Sequence, residues 1–142
     1  MARIKGKNTK PEMVLRRALH ALGFRYRLHV SGMPGKPDLV LPRYRAAVFI
    51  HGCFWHGHDC ELFRIPATRS DFWREKLAGN RARDDAALDS LAAMGWRTLV
   101  VWECAMRGKS RRSADEIACR MAEWLRSGAA RGEIRGEPRC LS

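Results

Sequence analysis

Apolar residues recur at helical spacing through Val14, Leu15, Ala18, Leu19 and Leu22, between Thr9-Lys10-Pro11-Glu12 and Gly23. Threonine three places before glutamate, with proline in the first turn, is a capping box, so the first element is a helix. The period then changes to two. Phe24, Tyr26 and Leu28 alternate with Arg25, Arg27 and His29, as in a half-exposed strand. A turn-rich stretch, Ser31 to Pro37, leads into Asp38-Leu39-Val40-Leu41. Pro42 to Arg45 joins that run to Ala46-Ala47-Val48-Phe49-Ile50, which predicts a hairpin of two buried strands.

Further on, Ser70 or Asp71 is placed to cap a helix containing Phe72, Trp73 and Leu77, and a second helical stretch is expected from about Asn80 to Met94, before Gly95. Arg97 to Trp102 reads as a fourth strand. Ser113-Ala114-Asp115-Glu116 is another capping box, followed by Ile117, Met121, Trp124 and Leu125 on one helical face, with Gly128 as the stop. Beyond Gly128 the chain has little to bury. The expectation is a single domain over 1–127 and a flexible tail over 128–142. Helix, three strands, helix, strand, helix is the order of an α/β protein with a mixed central sheet flanked by helices.

Charge adds a partner to this picture. Lysine and arginine outnumber aspartate and glutamate by 27 to 15, a net charge of +12 in 142 residues. That surplus points to a polyanion. It is concentrated early: Arg3, Lys5, Lys7, Lys10, Arg16, Arg17, Arg25, Arg27 and Lys36 face Glu12 alone among residues 1–37. Lys5, Lys7 and Lys36 are candidate phosphate contacts. No run approaches the ~18 apolar residues of a membrane span, and no apolar signal core opens the chain, so a cytoplasmic protein is expected.

The densest chemistry lies in His51-Gly52-Cys53-Phe54-Trp55-His56-Gly57-His58-Asp59-Cys60. Thiolate and imidazole are the ligands that zinc selects, and Cys104, just after the fourth strand, can reach the same ion from a neighbouring loop. Spacing leaves open whether His56 or His58 completes the tetrahedron. An odd cysteine count, five, in a reducing compartment favours metal ligation over disulfides. Cys119 and Cys140 read as spectators. If the second and third strands pair, the Asp38 carboxylate and the Ile50 carbonyl converge on one hard cation, a magnesium site, with histidines nearby to move protons. Turn chemistry after proline would also explain Asp38, and the capping box would explain Glu12.

The frame Pro37-Asp38, Phe49-Ile50-His51-Gly52-Cys53-Phe54-Trp55-His56, His58, Cys60, Phe72-Trp73 and Trp102-Glu103-Cys104 closely resembles the very-short-patch-repair (Vsr) mismatch endonucleases, from residue 1 to about 127. The resemblance implies a restriction-endonuclease-like core of the PD-(D/E)xK type. It also implies a strand-specific nick 5′ of the thymine in a T·G mismatch left by deamination of 5-methylcytosine. By that likeness Asp38 and the Ile50 carbonyl hold Mg2+, and His51 and His56 are catalytic. Glu12 matches an acid near the active site. Cys53, His58, Cys60 and Cys104 hold a structural Zn2+, while Phe54, Trp55 and Trp73 wedge into the duplex. Ile50 stands where threonine is frequent, and Met1 matches a methionine that follows a DNA-embracing segment. The implied partners are double-stranded DNA with a T·G mismatch, MutL and a repair polymerase, with a functional link to a cytosine-5 DNA methyltransferase. The protein is expected to be a monomer.

Two other classes compete. A zinc-stabilised basic domain could bind distorted DNA without cutting it, and a nuclease of the same fold could have another target. Asp38, His51 and His56 separate binder from enzyme, because phosphate binding alone does not require a carboxylate, which repels phosphate unless a cation lies between them.

Overall fold

The computed structural model describes residues 10–28, 30–56, 58, 60 and 65–137. Lys5, Lys7 and the capping Thr9 lie outside the described residues. Helix α1 spans Lys10–Ala21. Leu15 and Leu19, four apart, are buried, whereas Val14 and Leu22 are exposed, so its inner stripe is narrower than the apolar pattern. Among the described residues five strands follow: β1 (Arg27–Leu28), β2 (Leu39–Leu41), β3 (Ala46–His51), β4 (Arg97–Trp102) and β5 (Arg131–Ile134). They form one sheet in sequence order. β1, β2 and β3 pair antiparallel, and β3, β4 and β5 pair parallel. The expected hairpin is β2–β3, turned through a 3-10 helix at Pro42–Tyr44.

Side chains alternate between the faces of a strand, and here each face acquires its own core. Ala46, Val48, Leu99 and Val101 pack with Leu15 and Leu19 of α1 and with Ile117, Met121 and Leu125 of the last long helix, α4 (Ala114–Ser127). On the other face Ala47, Phe49 and Val100 meet Leu91 of α2 (Ser70–Ala93), a smaller cluster. Only Leu77 and Leu91 of α2 are buried. Much of that helix is therefore free to carry side chains for other purposes.

Several expectations are corrected. The two helical stretches predicted after residue 70 are one continuous helix of 24 residues. Gly79 and Asn80 lower helix propensity by no more than about 1 kcal/mol each, too little to break a helix docked at both ends. Neither Ser70 nor Asp71 is its cap: Arg69 takes that position, with a left-handed φ of 57° and no side-chain bond. Of the strand expected over Phe24 to His29, Arg27–Leu28 forms among the described residues, and His29 lies outside them; an edge strand beside the three-residue β2 has little to pair with. A short helix, α3 (Glu103–Met106), follows β4 directly.

The stretch after Gly128, expected as a tail, contains β5, which adds to β4 with Val101 opposite Ile134. Arg97 makes that return possible. Its guanidinium donates to the carbonyls of Trp124, Leu125 and Ala129, closing the end of α4. The capping of α4 itself follows its sequence: Ser113 Oγ accepts from Glu116 N at 3.0 Å, and Gly128 ends the helix at φ 82°. Among the described residues no helix is long and apolar enough to cross a membrane.

Candidate functional site

Parallel neighbours bring the carboxyl ends of their strands side by side. His51, the last residue of β3, is opposite Trp102, the last of β4, so the loop after β3 and helix α3 after β4 emerge at the same edge of the sheet. Glu103 clasps the two together. One carboxylate oxygen accepts from Cys53 N at 3.0 Å and the other from Arg107 at 2.6 Å.

Cys53, His58, Cys60 and Cys104 converge there, with one donor atom of each within 4.8 Å of every other. His58 Nδ1 lies 3.4 Å from Cys53 Sγ and 3.6 Å from Cys104 Sγ. A tetrahedral ion with metal–sulfur bonds of about 2.3 Å separates its donors by roughly 3.5–3.8 Å, so the arrangement fits a bound metal. The chemistry of the donors agrees. Burial pushes the thiols of Cys53 and Cys104 up, so a cation is needed to hold them as thiolates. Amide groups already point at the sulfurs: Cys104 N donates to Cys53 Sγ at 3.3 Å, and Gly136 N to Cys104 Sγ at 3.2 Å. A Cβ at Gly136 would sit 2.6 Å from the Cys104 carbonyl oxygen, which is why glycine fits this approach.

His56 goes elsewhere. Its ring stacks on that of His51, with centroids 3.8 Å apart and planes 4° from parallel, and its Nδ1 bonds the Asp84 carboxylate from α2. His51, His56 and Asp84 also offer donor atoms within 4.8 Å of one another. A metal shared by two imidazoles must lie in the plane of both rings, and parallel stacked planes have no common line. This cluster therefore suits proton handling. Burial first, and then the neighbouring His56, lowers the His51 pKa from 6.5 to about 3, so its imidazole is neutral. The cluster lines a cavity of about 200 Å³ together with His58, Arg81 and Trp102.

Asp38 Oδ2 accepts from Ile50 N at 2.6 Å. In an extended strand a residue's N–H and C=O face the same neighbour, so the Ile50 carbonyl is also on the Asp38 side. Phe54, Trp55 and Trp73 form an edge-to-face group, with centroids 5.0 to 5.9 Å apart and Phe72 against Trp73. Trp55 is 50% exposed and Phe72 45%, unusual for large aromatics without a partner surface. Asn80 Nδ2 donates to Trp55 O at 2.8 Å, tying this loop to α2. Lys36 is exposed in the loop before β2. Glu12, only 8% exposed, belongs to neither metal-type cluster.

Asp84 was not anticipated. Its signal is modest: Asp84-Asp85 is an acidic notch beside Arg81 and Arg83 in an otherwise basic stretch. Nothing in linear spacing joins it to His56, 28 residues away.

Comparison with known proteins adds a family match and several relatives. Residues 1–62 match the family described as DNA mismatch endonuclease Vsr. Over 134 residues the chain is 40% identical to the DNA mismatch endonuclease Vsr of Escherichia coli, covering 94% of this chain and 86% of that protein. It is 48% identical over 106 residues to the type II nicking enzyme V.XorIIP of Xanthomonas oryzae pv. oryzae, covering 75% and 78%. With the type II nicking enzyme V.NmeAIP of Neisseria meningitidis the figures are 46% over 110 residues, 78% and 79%.

Proposed function

Because the chain belongs to the Vsr family of DNA mismatch endonucleases, we propose that it nicks one strand of duplex DNA 5′ of the thymine in a T·G mismatch, in a magnesium-dependent hydrolysis that starts very short patch repair. The observation that carries this reading is the His51–His56–Asp84 constellation opening into a cavity, on a loop whose Trp55, next to His56 in the sequence, is exposed. The core is read as restriction-endonuclease-like, with Pro37-Asp38 as the beginning of its PD-(D/E)xK-type signature.

Asp38 and the Ile50 carbonyl would hold Mg2+. Bound there, the ion would neutralise phosphate charge and acidify water. His56 donates from Nδ1 to Asp84, which leaves Nε2 to take a proton from the attacking water. Neutral His51 keeps the stacked pair from carrying two charges and stands as the second proton carrier. Glu12 is assigned the family's acidic position by resemblance alone. The Cys53, His58, Cys60 and Cys104 cluster would hold structural Zn2+, fixing the loop that carries His56 and the aromatics.

A T·G wobble is easier to unstack than a matched pair, so aromatics pushed into the duplex select it energetically. Phe54, Trp55 and Trp73 are assigned this part, with Lys5, Lys7 and Lys36 on the phosphates. A 5-methylcytosine origin for the mismatch would link the enzyme to a cytosine-5 DNA methyltransferase, and its nick to MutL and a repair polymerase. The test incubates the protein with otherwise identical T·G, U·G, C·G and T·A duplexes, with magnesium and with chelator. Strand-specific nicking of T·G only, and only with magnesium, is expected. Equal cutting of T·A would overturn the specificity, and full activity in chelator would overturn the magnesium role.

A further inference from the structure

The two clusters share one wall. Trp102, at the end of β4, stacks face to face on His58, with centroids 3.9 Å apart and planes 6° from parallel. The same indole is set edge-on to His51 at 5.4 Å and to His56 at 6.3 Å. It lines the cavity that both histidines open into. On its far side Trp102 Nε1 donates to Glu133 Oε1 of β5 at 2.7 Å.

We propose that Trp102, fixed by Glu133, is a positioning residue that aligns the His51–His56 pair against the metal-bearing loop. This rests on the reading of those histidines as catalytic. An indole has two side-chain torsions and one N–H. Packing against His58 restrains the tilt of the plate, and only the N–H bond selects its rotation within that stack. His51, paired in register with Trp102, and His56 then have a fixed surface behind them. Glu133 itself is exposed on the edge strand and opposite Val100, so it acts only through the indole. β5 thereby joins the site without touching substrate. A misplacement of about 1 Å at reacting groups can cost ~10²-fold, so a loosened plate is expected to cost around 10-fold.

The experiment compares Glu133→Ala, Glu133→Gln and Trp102→Phe in full-length, metal-loaded protein. It measures single-turnover nicking, DNA affinity, zinc content, and the histidine ring resonances by NMR, which report the indole ring current. Glu133→Ala is expected to slow nicking about 10-fold, with affinity and zinc retained and the His51 and His56 resonances displaced. Glu133→Gln keeps an acceptor without the charge, and should restore both rate and resonances. In the Trp102→Phe background, which lacks the donor, Glu133→Ala should add nothing. A wild-type rate for Glu133→Ala overturns the proposal, as does a Gln variant as slow as the Ala variant. A loss confined to affinity or zinc content overturns it too. His51→Ala and His56→Ala run alongside: if they nick at the wild-type rate, the catalytic reading fails, whereas if they are slow and Glu133→Ala is not, only the positioning role fails.

Discussion

His51 and His56 lie ring on ring, 3.8 Å between centroids, and only His56 reaches a carboxylate, that of Asp84. A proton on His51 would be buried beside the His56 ring without a bonded carboxylate to compensate it, so the His51 imidazole stays neutral.

That asymmetry sets a pH dependence of stability. His51 has a folded-state pKa of about 3 against an ordinary 6.5. Between these values the unfolded chain binds a proton that the folded chain does not, so His51 contributes nothing above 6.5 and destabilises increasingly as pH falls towards 3. In His51→Gln the dependence of unfolding free energy on pH, between about pH 4 and 6, should be shallower by up to roughly 1.4 kcal/mol per pH unit. Denaturant titrations of both proteins across that range check it. Parallel slopes would refute the buried neutral imidazole.

On the proposed catalytic role of His56, Asp84→Asn should lower turnover by ~10²-fold or more while leaving DNA affinity nearly unchanged. The amide can still accept a hydrogen bond but cannot balance an imidazolium. Single-turnover nicking and a binding titration on one T·G duplex measure both quantities. An Asn variant at the wild-type rate would make the contact structural.

Removing Asp38 should abolish nicking and spare binding. In Asp38→Ala the carboxylate that accepts from Ile50 N is lost, and with it the proposed seat for magnesium, while the basic surface is untouched. The variant is expected to bind mismatched DNA as tightly as wild type, or more tightly. Ordinary cleavage at millimolar magnesium would remove Asp38 from the site.

Cys104→Ser should damage the fold before it damages the chemistry. Cys104 is 1% exposed, receives the Gly136 amide and closes the cluster from α3. Structural zinc contributes on the order of 10 kcal/mol to folding in small peptides, so the variant should lose zinc and melt well below wild type. Elemental analysis and thermal unfolding check both, and a variant melting like wild type would contradict the closed site.

Alanine at both Phe54 and Trp55 should reduce the preference for T·G over T·A duplexes. Stacking on an inserted aromatic is worth roughly 1–3 kcal/mol per base, whereas salt dependence reports phosphate contacts. Discrimination is therefore expected to fall while the slope of affinity against salt holds. Full preference in the double variant would return these aromatics to a packing role.

The apolar periods by themselves determined the pairing of Leu39–Leu41 with Ala46–Val48 and the α4 helix with its Ser113 cap, because each depends on neighbours within one turn or one hairpin. Ligand chemistry was equally local, since three cysteines and three histidines close to two strand ends leave few other uses. Which histidine joins the sulfurs was beyond spacing: His56 and His58 differ by two residues, and only the turn between Gly52 and Cys60 sends one to the metal cluster and the other to α2. Asp84, Glu133 and the Gly136 amide come from elements brought in by parallel crossovers, where contact depends on how a 24-residue helix and a returning edge strand dock. The sequence after Gly128 has almost no apolar pattern because an edge strand buries little, and Ile134 is the one buried hydrophobic residue of β5. Docking geometry has no linear period, so those decisions belonged to the tertiary structure alone.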